Sequence, residues 1–322
     1  MLDLSRFKEE RLISFSGVEI APGESSGVNY NVGNLPTGTR VSIQMEVFRS
    51  QHPGPHVLII GGVHGDEING VEIVRRILAG KLFQNLHAGT VIVVPLLNVY
   101  GFINFSREVP DGKDVNRSFP GSMSGSLASR VARIVTKNII PQIDIIIDCH
   151  AGGQGRYNYP QIRVTKGDQE AITLARAFNA PFIIQKGILR GSLRKVAKQN
   201  NKPCLVYEGG EALRLDGFPI GRGVEGIKRT LASLHMLTHV ETSDTVPVEI
   251  HHTSWVRASK AGLFIWSECS GARVRKGDVL GAIYDPYGTD QTDVHATVDG
   301  YILGHTNAPL VNKGDALFHL GH

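Results

Sequence analysis

The sequence predicts an α/β fold with a largely parallel sheet, followed by a small all-β region. Three observations carry this. Runs that are apolar almost throughout, at residues 57–60, 90–97 and 143–149, alternate with segments of helical periodicity. Such continuous apolar runs suit strands covered on both faces, as in parallel sheets. Near residue 245 the texture changes, and short strand-like runs separated by turns continue to the end without a convincing helix.

The elements follow in order. Residues 1–50 alternate and are rich in Gly and Asn, and the period-2 pattern of 40–48 predicts a strand. Gln51-His52-Pro53-Gly54-Pro55 reads as a turn, and 57–60 as a buried strand. Residues 68–78 have apolar positions at helical spacing and end near Gly80. After the strand 90–97 comes a stretch, 98–125, rich in Gly, Pro, Asn and Asp. A loop of that length within a compact domain is functional or disordered. Leu127, Val131, Ile134 and Val135 predict a helix over 127–138. The strand 143–149 ends on His150. A helix at 168–178, a short strand at 181–185 and a helix at 189–199 come next. The strand 203–208 ends on Glu208-Gly209-Gly210, and 221–237 is a helix.

The polar stretch 241–247 divides the chain into residues 1–245, including an N-terminal β segment 1–50, and residues 246–322. In the second part 278–284 and 316–320 are strand-like. Val274-Arg275-Lys276-Gly277-Asp278 and Val311-Asn312-Lys313-Gly314-Asp315 look like copies of one turn. Two similar halves predict a quasi-symmetric β-sandwich or barrel.

Of the 322 residues, 41% are hydrophobic and 20% charged, as in an ordinary globular protein. The net charge of +4 is small and the Lys and Arg residues are scattered, so no nucleic-acid partner is expected. No apolar stretch reaches about 18 residues, so no membrane partner is expected either. The first residues lack the apolar core of a signal peptide. The three cysteines are odd in number and far apart, which suits no disulfide framework. A cytoplasmic location is expected.

The chemistry concentrates where apolar runs end. His64-Gly65-Asp66-Glu67 follows the run 57–62, His150 ends another, and Glu208 ends a third. In open α/β sheets, sites gather beyond the carboxyl ends of strands. Two imidazoles and one carboxylate form a His2Glu set, which leaves a position open on Zn2+ as catalytic sites do. Each residue taken alone has an ordinary reading: a structural histidine, acids favouring a helix N-terminus, a solvated strand end. Their joint placement favours the metal.

The ordered motifs His64-Gly65-Asp66-Glu67, Asp114-Val115-Asn116-Arg117-Ser118-Phe119-Pro120-Gly121, Asp148-Cys149-His150 and Tyr207-Glu208-Gly209-Gly210 resemble the succinylglutamate desuccinylase/aspartoacylase family. That family is a branch of the zinc carboxypeptidase-like hydrolases. The resemblance covers nearly the whole chain. It implies a three-layer α/β/α domain with a mixed, largely parallel sheet, plus a C-terminal all-β lipoyl-like domain. It implies one Zn2+ per chain, held by His64, Glu67 and His150. It implies Glu208 as the general base that takes a proton from metal-bound water, and Arg107 as the group that stabilises the oxyanion. Asn116 and Arg117 would grip a substrate carboxylate, for which a guanidinium offers a planar fork. Asp148 or Asp66 would orient a ligand imidazole. Arg190 and Arg194 read as helix-surface residues, with substrate contact the lesser alternative. Carrier domains of the lipoyl type place a Lys at a hairpin tip. Residues 285–291 have none, so no covalent cofactor is expected.

The expected function is a zinc-dependent amide hydrolase that removes an acyl group from an N-acylated amino acid or related small amine. Two alternatives stand beside it: a zinc carboxypeptidase acting on small peptides, and an inactive metal-binding or assembly module. A homo-oligomer is the expected assembly.

Overall fold

The computed structural model describes residues 4–7, 9–238 and 245–322. A short hairpin, β1 (Ser14–Phe15) and β2 (Val18–Glu19), precedes the long antiparallel pair β3 (Ser25–Asn34) and β4 (Arg40–Arg49). Then come β5 (His56–Gly61), α1 (Ile68–Ala79), β6 (Thr90–Val94), α2 (Val99–Ile103) and α3 (Leu127–Ile134). They are followed by β7 (Ile145–Gly152), β8 (Arg156–Thr165), α4 (Gln169–Phe178), β9 (Phe182–Lys186), α5 (Leu193–Gln199), β10 (Cys204–Glu211) and α6 (Gly217–Ser233).

Strands β6, β5, β7 and β10 lie side by side and parallel. Every residue of β5, β6 and β7 is buried, which requires cover on both faces. On one face Val57, Ile59, Ile145, Ile147 and Leu205 pack with Ile73 of α1, Ile172 of α4 and Ile227 of α6. On the other, Leu58, Ile60 and Ile146 pack with Val131 of α3 and Val196 of α5. The result is the expected three-layer α/β/α arrangement. Antiparallel strands flank it: β4 beside β6, and β8 beside β10.

The C-terminal strands are β11 (Val248–Ile250), β12 (Thr253–Arg257), β13 (Gly262–Trp266), β14 (Arg273–Val274) and β15 (Val279–Tyr284). They continue with β16 (Gln291–His295), β17 (Gly300–Thr306), β18 (Leu310–Val311) and β19 (Ala316–Gly321). β13, β15, β16 and β18 form a separate four-stranded antiparallel sheet. β17, β19 and β12 instead extend the large sheet outward from β8, and β11 joins β9. Val256, Phe264, Leu280, Ile283, Ile302 and Phe318 give this region its own core. The two look-alike turns share one geometry. Asp278 Oδ2 accepts from Arg275 N, and Asp315 Oδ2 from Asn312 N, each at 2.7 Å. Of the stretch 241–247, residues 241–244 lie outside the described residues.

Some boundaries differ from expectation. α5 starts at Leu193 because the Ser192 hydroxyl caps it, accepting from Lys195 N. α6 starts at Gly217, capped by Asp216. β7 and β10 run on past the predicted ends, so His150 and Glu208 sit inside strands rather than beyond them. The stretch 98–125 holds α2 and a single 3-10 turn, Val115–Arg117. β8 has no counterpart among the predicted elements.

Candidate active site

The sheet itself builds the floor of the site. In the parallel register of β7 and β10, Asp148 pairs with Val206 and His150 with Glu208. Residues directly opposite, and those two apart on one strand, share a face. Arg163 of β8 pairs with Val206 and therefore joins them. Between Glu208 and Gly210 the register shifts, so that Tyr159 and Pro160 together face Gly209. This bulge changes the parity of β8 and brings Asn158 onto the face of Arg163, although five positions separate them. Asp148, His150, Val206, Glu208, Arg163 and Asn158 all line one cavity of about 400 Å³.

His64 and Glu67 reach that cavity from the turn between β5 and α1. The turn passes directly beneath α2. A Cβ on Gly65 would lie 2.0 Å from the carbonyl carbon of Gly101, so only glycine fits between the two functional residues. Glu67 is the residue before α1, and its carboxylate bridges both imidazoles. Glu67 Oε1 lies 2.7 Å from His64 Nδ1, and Glu67 Oε2 lies 2.7 Å from His150 Nδ1. The two Nδ1 atoms are 3.2 Å apart. All three side chains are buried, and their ligand atoms lie within 4.8 Å of one another.

The opposite nitrogens face carboxylates. His64 Nε2 is 3.2 Å from Asp114 Oδ1, and His150 Nε2 is 2.9 Å from Asp148 Oδ2. Carboxylates behind metal-binding imidazoles fix the ring and raise its basicity. The Nδ1–Nδ1–carboxylate set therefore fits a divalent cation of the zinc type in donor chemistry and burial. Asp66 does not play the supporting part considered for it. Among the described residues its Oδ1 is buried without a hydrogen-bond partner, and burial together with Glu67 pushes its carboxyl up. The carboxylate nearest the His64 Nε2 is instead that of Asp114.

The electrostatics are those of a site that prefers a cation at its centre. Burial works against the charge on Glu67, but His64 and His150 outweigh it and hold the carboxyl well below the usual range. Burial likewise disfavours imidazolium at His150, yet Asp148 and Glu67 hold its pKa well above the ordinary value. A divalent ion would take the place of those protons.

Arg107 reaches the cluster rather than solvent. Its Nη1 donates to Glu67 Oε1 at 2.9 Å, and its Nε and Nη2 donate to Asp114 Oδ2 at 3.1 and 2.9 Å. Burial opposes its charge, but Glu67 and Asp114 more than compensate. Asn116 lines the cavity and spends its Oδ1 on the Leu193 N–H, at 2.9 Å. Arg117 lines the cavity with an exposed side chain. Both oxygens of Glu208 are held from β8, by Asn158 Nδ2 and by Arg163 Nη1, each at 2.8 Å.

Arg194 corrects the surface reading. It is buried, lines the cavity and donates to the carbonyls of Val164 and Gly187. Arg190 is exposed, as expected. Sequence reasoning missed Asn158, Arg163 and Trp255. Trp255 enters the cavity wall from β12 and stacks on His319, with ring centroids 4.4 Å apart.

The sequence profile of the succinylglutamate desuccinylase/aspartoacylase catalytic domain matches residues 53–234. This chain belongs to that family. The matched segment holds all seven residues to which the resemblance gives a role: His64, Glu67, Arg107, Asn116, Arg117, His150 and Glu208. The N-alpha-acetyl-L-2,4-diaminobutyric acid deacetylase of Halomonas elongata is 26% identical over 314 residues, covering 91% of each chain. Among solved structures, the product-bound ectoine utilization protein EutE (DoeB) of Ruegeria pomeroyi superposes with a TM-score of 0.83. It is 22% identical and covers 97% of this chain and 99% of its own. A succinylglutamate desuccinylase/aspartoacylase from Rhodobacter sphaeroides gives a TM-score of 0.79 at 24% identity, covering 93% and 95%. These structures share the fold. Family membership places the chain among hydrolases that remove acyl groups from amides.

Proposed function

We propose that this family member is a zinc-dependent deacylase of an N-acylated amino acid or related small amine. The observation that carries the proposal is the convergence of buried His64, Glu67 and His150 in the cavity that Glu208 enters from the next strand. His64, Glu67 and His150 would hold the ion. A divalent cation there supplies Lewis acidity, polarising an amide carbonyl and acidifying water.

The rest belongs to this chain's own side chains. Glu208 accepts the proton of the attacking water on a carboxylate oxygen and delivers it to the leaving amine nitrogen. Arg107, already on Glu67, is a fixed positive charge beside the centre, where negative charge grows on the carbonyl oxygen. Arg117 and the amide nitrogen of Asn116 are the donors for a substrate carboxylate. Trp255, delivered from residues 246–322, is part of the cavity wall, and a cavity of about 400 Å³ walled in this way suits a small substrate better than a peptide. We take residues 1–245 as the catalytic unit and 246–322 as the C-terminal β unit.

The test is a screen of N-acetyl, N-succinyl and N-formyl amino acids against C-terminal dipeptides, with metal content measured on the same sample. Release of free amine from the acyl amino acids, lost with a chelator and restored by Zn2+, is expected. Glu208→Gln should keep the metal and lose about 100-fold or more in kcat. Cleavage of the dipeptides alone, or full activity of Glu208→Gln, would overturn the assignment.

A further inference from the structure

The residues around Glu208 point to a role that none of the family motifs carries. The carboxylate has no freedom to choose its own orientation. Oε1 accepts from Arg163 Nη1 and Oε2 from Asn158 Nδ2, both at 2.8 Å. Both donors come from β8, the antiparallel neighbour of β10. They can reach one carboxylate together because the bulge at Tyr159 and Pro160 restores a common face. Without the extra residue, positions 158 and 163 would point to opposite sides of the sheet.

Arg163 is committed to this contact. Among the described residues, its Nε is buried without a hydrogen-bond partner. Its positive charge acts on two cationic neighbours, Arg194 and Lys186, and with burial helps to push the Lys186 ammonium down. Among the described residues, Glu208 is the only carboxylate paired with Arg163. Packing guanidinium, guanidinium and ammonium groups together is unfavourable unless something in the arrangement needs it. What Arg163 provides there is a guanidinium on one oxygen of Glu208 while Asn158 holds the other.

We propose that Arg163 is the positioning residue of Glu208, acting with Asn158 to aim the carboxylate at the attacking water. This rests on the reading of Glu208 as the general base. Arg163 bears on the chemical step through Glu208 and need not touch the substrate. A base misplaced by about 1 Å costs up to about 100-fold in rate, which sets the scale.

The test is a double-mutant cycle on the zinc-loaded full chain, using whichever acyl amino acid the screen identifies. Arg163→Met should lower kcat by about 10- to 100-fold, with KM changed less than about threefold and the metal stoichiometry unchanged. Arg163→Lys, which restores a positive charge without the planar fork, should recover part of the loss. In the Glu208→Gln background, adding Arg163→Met should change kcat by less than about threefold, because the group it positions is gone. Arg163→Gln serves if the Met variant fails to fold. A rise in KM at unchanged kcat would make Arg163 a substrate-binding residue and overturn the proposal. Multiplicative losses in the double variant would overturn it as well. Full activity of Glu208→Gln alone would instead remove the base assignment, a separate failure visible before Arg163 is touched.

Discussion

At the scale of single residues, the same side chain takes opposite characters in different surroundings. His64 and His150 meet carboxylates, and those charges hold their pKa values up against burial. His56 is buried too, but burial and the nearby Arg11 charge push it down to about 4. Its Nδ1 lies 2.8 Å from the Gln142 carbonyl and donates to it, a contact that favours the protonated ring but does not offset burial and Arg11. The consequence for stability has a definite sign. The unfolded chain binds the proton near pH 6.5 and the folded chain only near pH 4. His56 therefore leaves stability intact above about pH 6.5 and lowers it as the pH falls toward 4, by at most about 3 kcal/mol. Asp144, which accepts from the His56 main-chain N–H, adds almost nothing to that slope above about pH 5 and adds to the loss of stability, in the same direction, as the pH falls through about 4. Burial opposes its charge, but Arg11 outweighs burial and keeps its carboxyl below the ordinary value. His56→Asn keeps a donor for Gln142 and removes the titration. Urea midpoints of the metal-free protein at pH 7.5 and 5 should drop less in the variant than in the wild type. Equal drops would show that His56 does not titrate as described.

At the scale of elements, α1 ties His64, Glu67 and His150 to one another. It begins next to Glu67 and rests on β7, which carries His150. A Cβ on Gly70 would lie 2.3 Å from the Cys149 carbonyl oxygen. Asn69, fully buried, donates from Nδ2 to the carbonyls of Gly209 and Glu211 on β10 and accepts from Asp216 N. One helical turn thus spans the strands of His150 and Glu208. Gly70→Ala should force α1 off β7, costing about 1–3 kcal/mol in denaturant titration. It should also weaken metal binding about tenfold by calorimetry, because Glu67 moves with the helix. Unchanged affinity would mean that the turn 64–67 holds its geometry without α1. This element also shows what a sequence can and cannot reveal. That His64, Glu67, His150 and Glu208 would meet was legible, because each falls where a near-continuous apolar run ends and such runs lie side by side in one sheet. Arg163 and Asn158 were not. β8 mixes Arg, Asn, Tyr, Pro and Gln, and its bulge breaks the period of two that would have marked a strand. Arg194 was misread because its face of α5 is covered by long-range contacts that local periodicity does not contain.

At the scale of the molecule, the region beyond residue 245 is joined to the large sheet through hydrogen bonds. The outer edge of β8 is divided between two partners. Residues 161–165 pair with β9, and residues 156–158 with β17. β9 in turn pairs with β11. Leu303 and Ile250 from the C-terminal region complete a small core with Phe182 and Ile184 of β9. The same docking delivers Trp255 to the cavity and sets Asn307 Nδ2 on Glu211 Oε2, at 2.7 Å, at the end of the strand that carries Glu208. Removing residues 246–322 would leave the N-terminal half of β8 and all of β9 as open strand edges and uncover that apolar cluster, the combination that favours aggregation. Such a truncation should be aggregated by size-exclusion chromatography and should lose a single cooperative thermal transition. A monodisperse, cooperatively folding fragment would show that the division near 245 separates two independent units. In that event Trp255 would be a later addition to a complete pocket. If the fragment fails as expected, the cavity wall and the sheet edge are one structure, and the C-terminal strands shape the site by being part of its sheet.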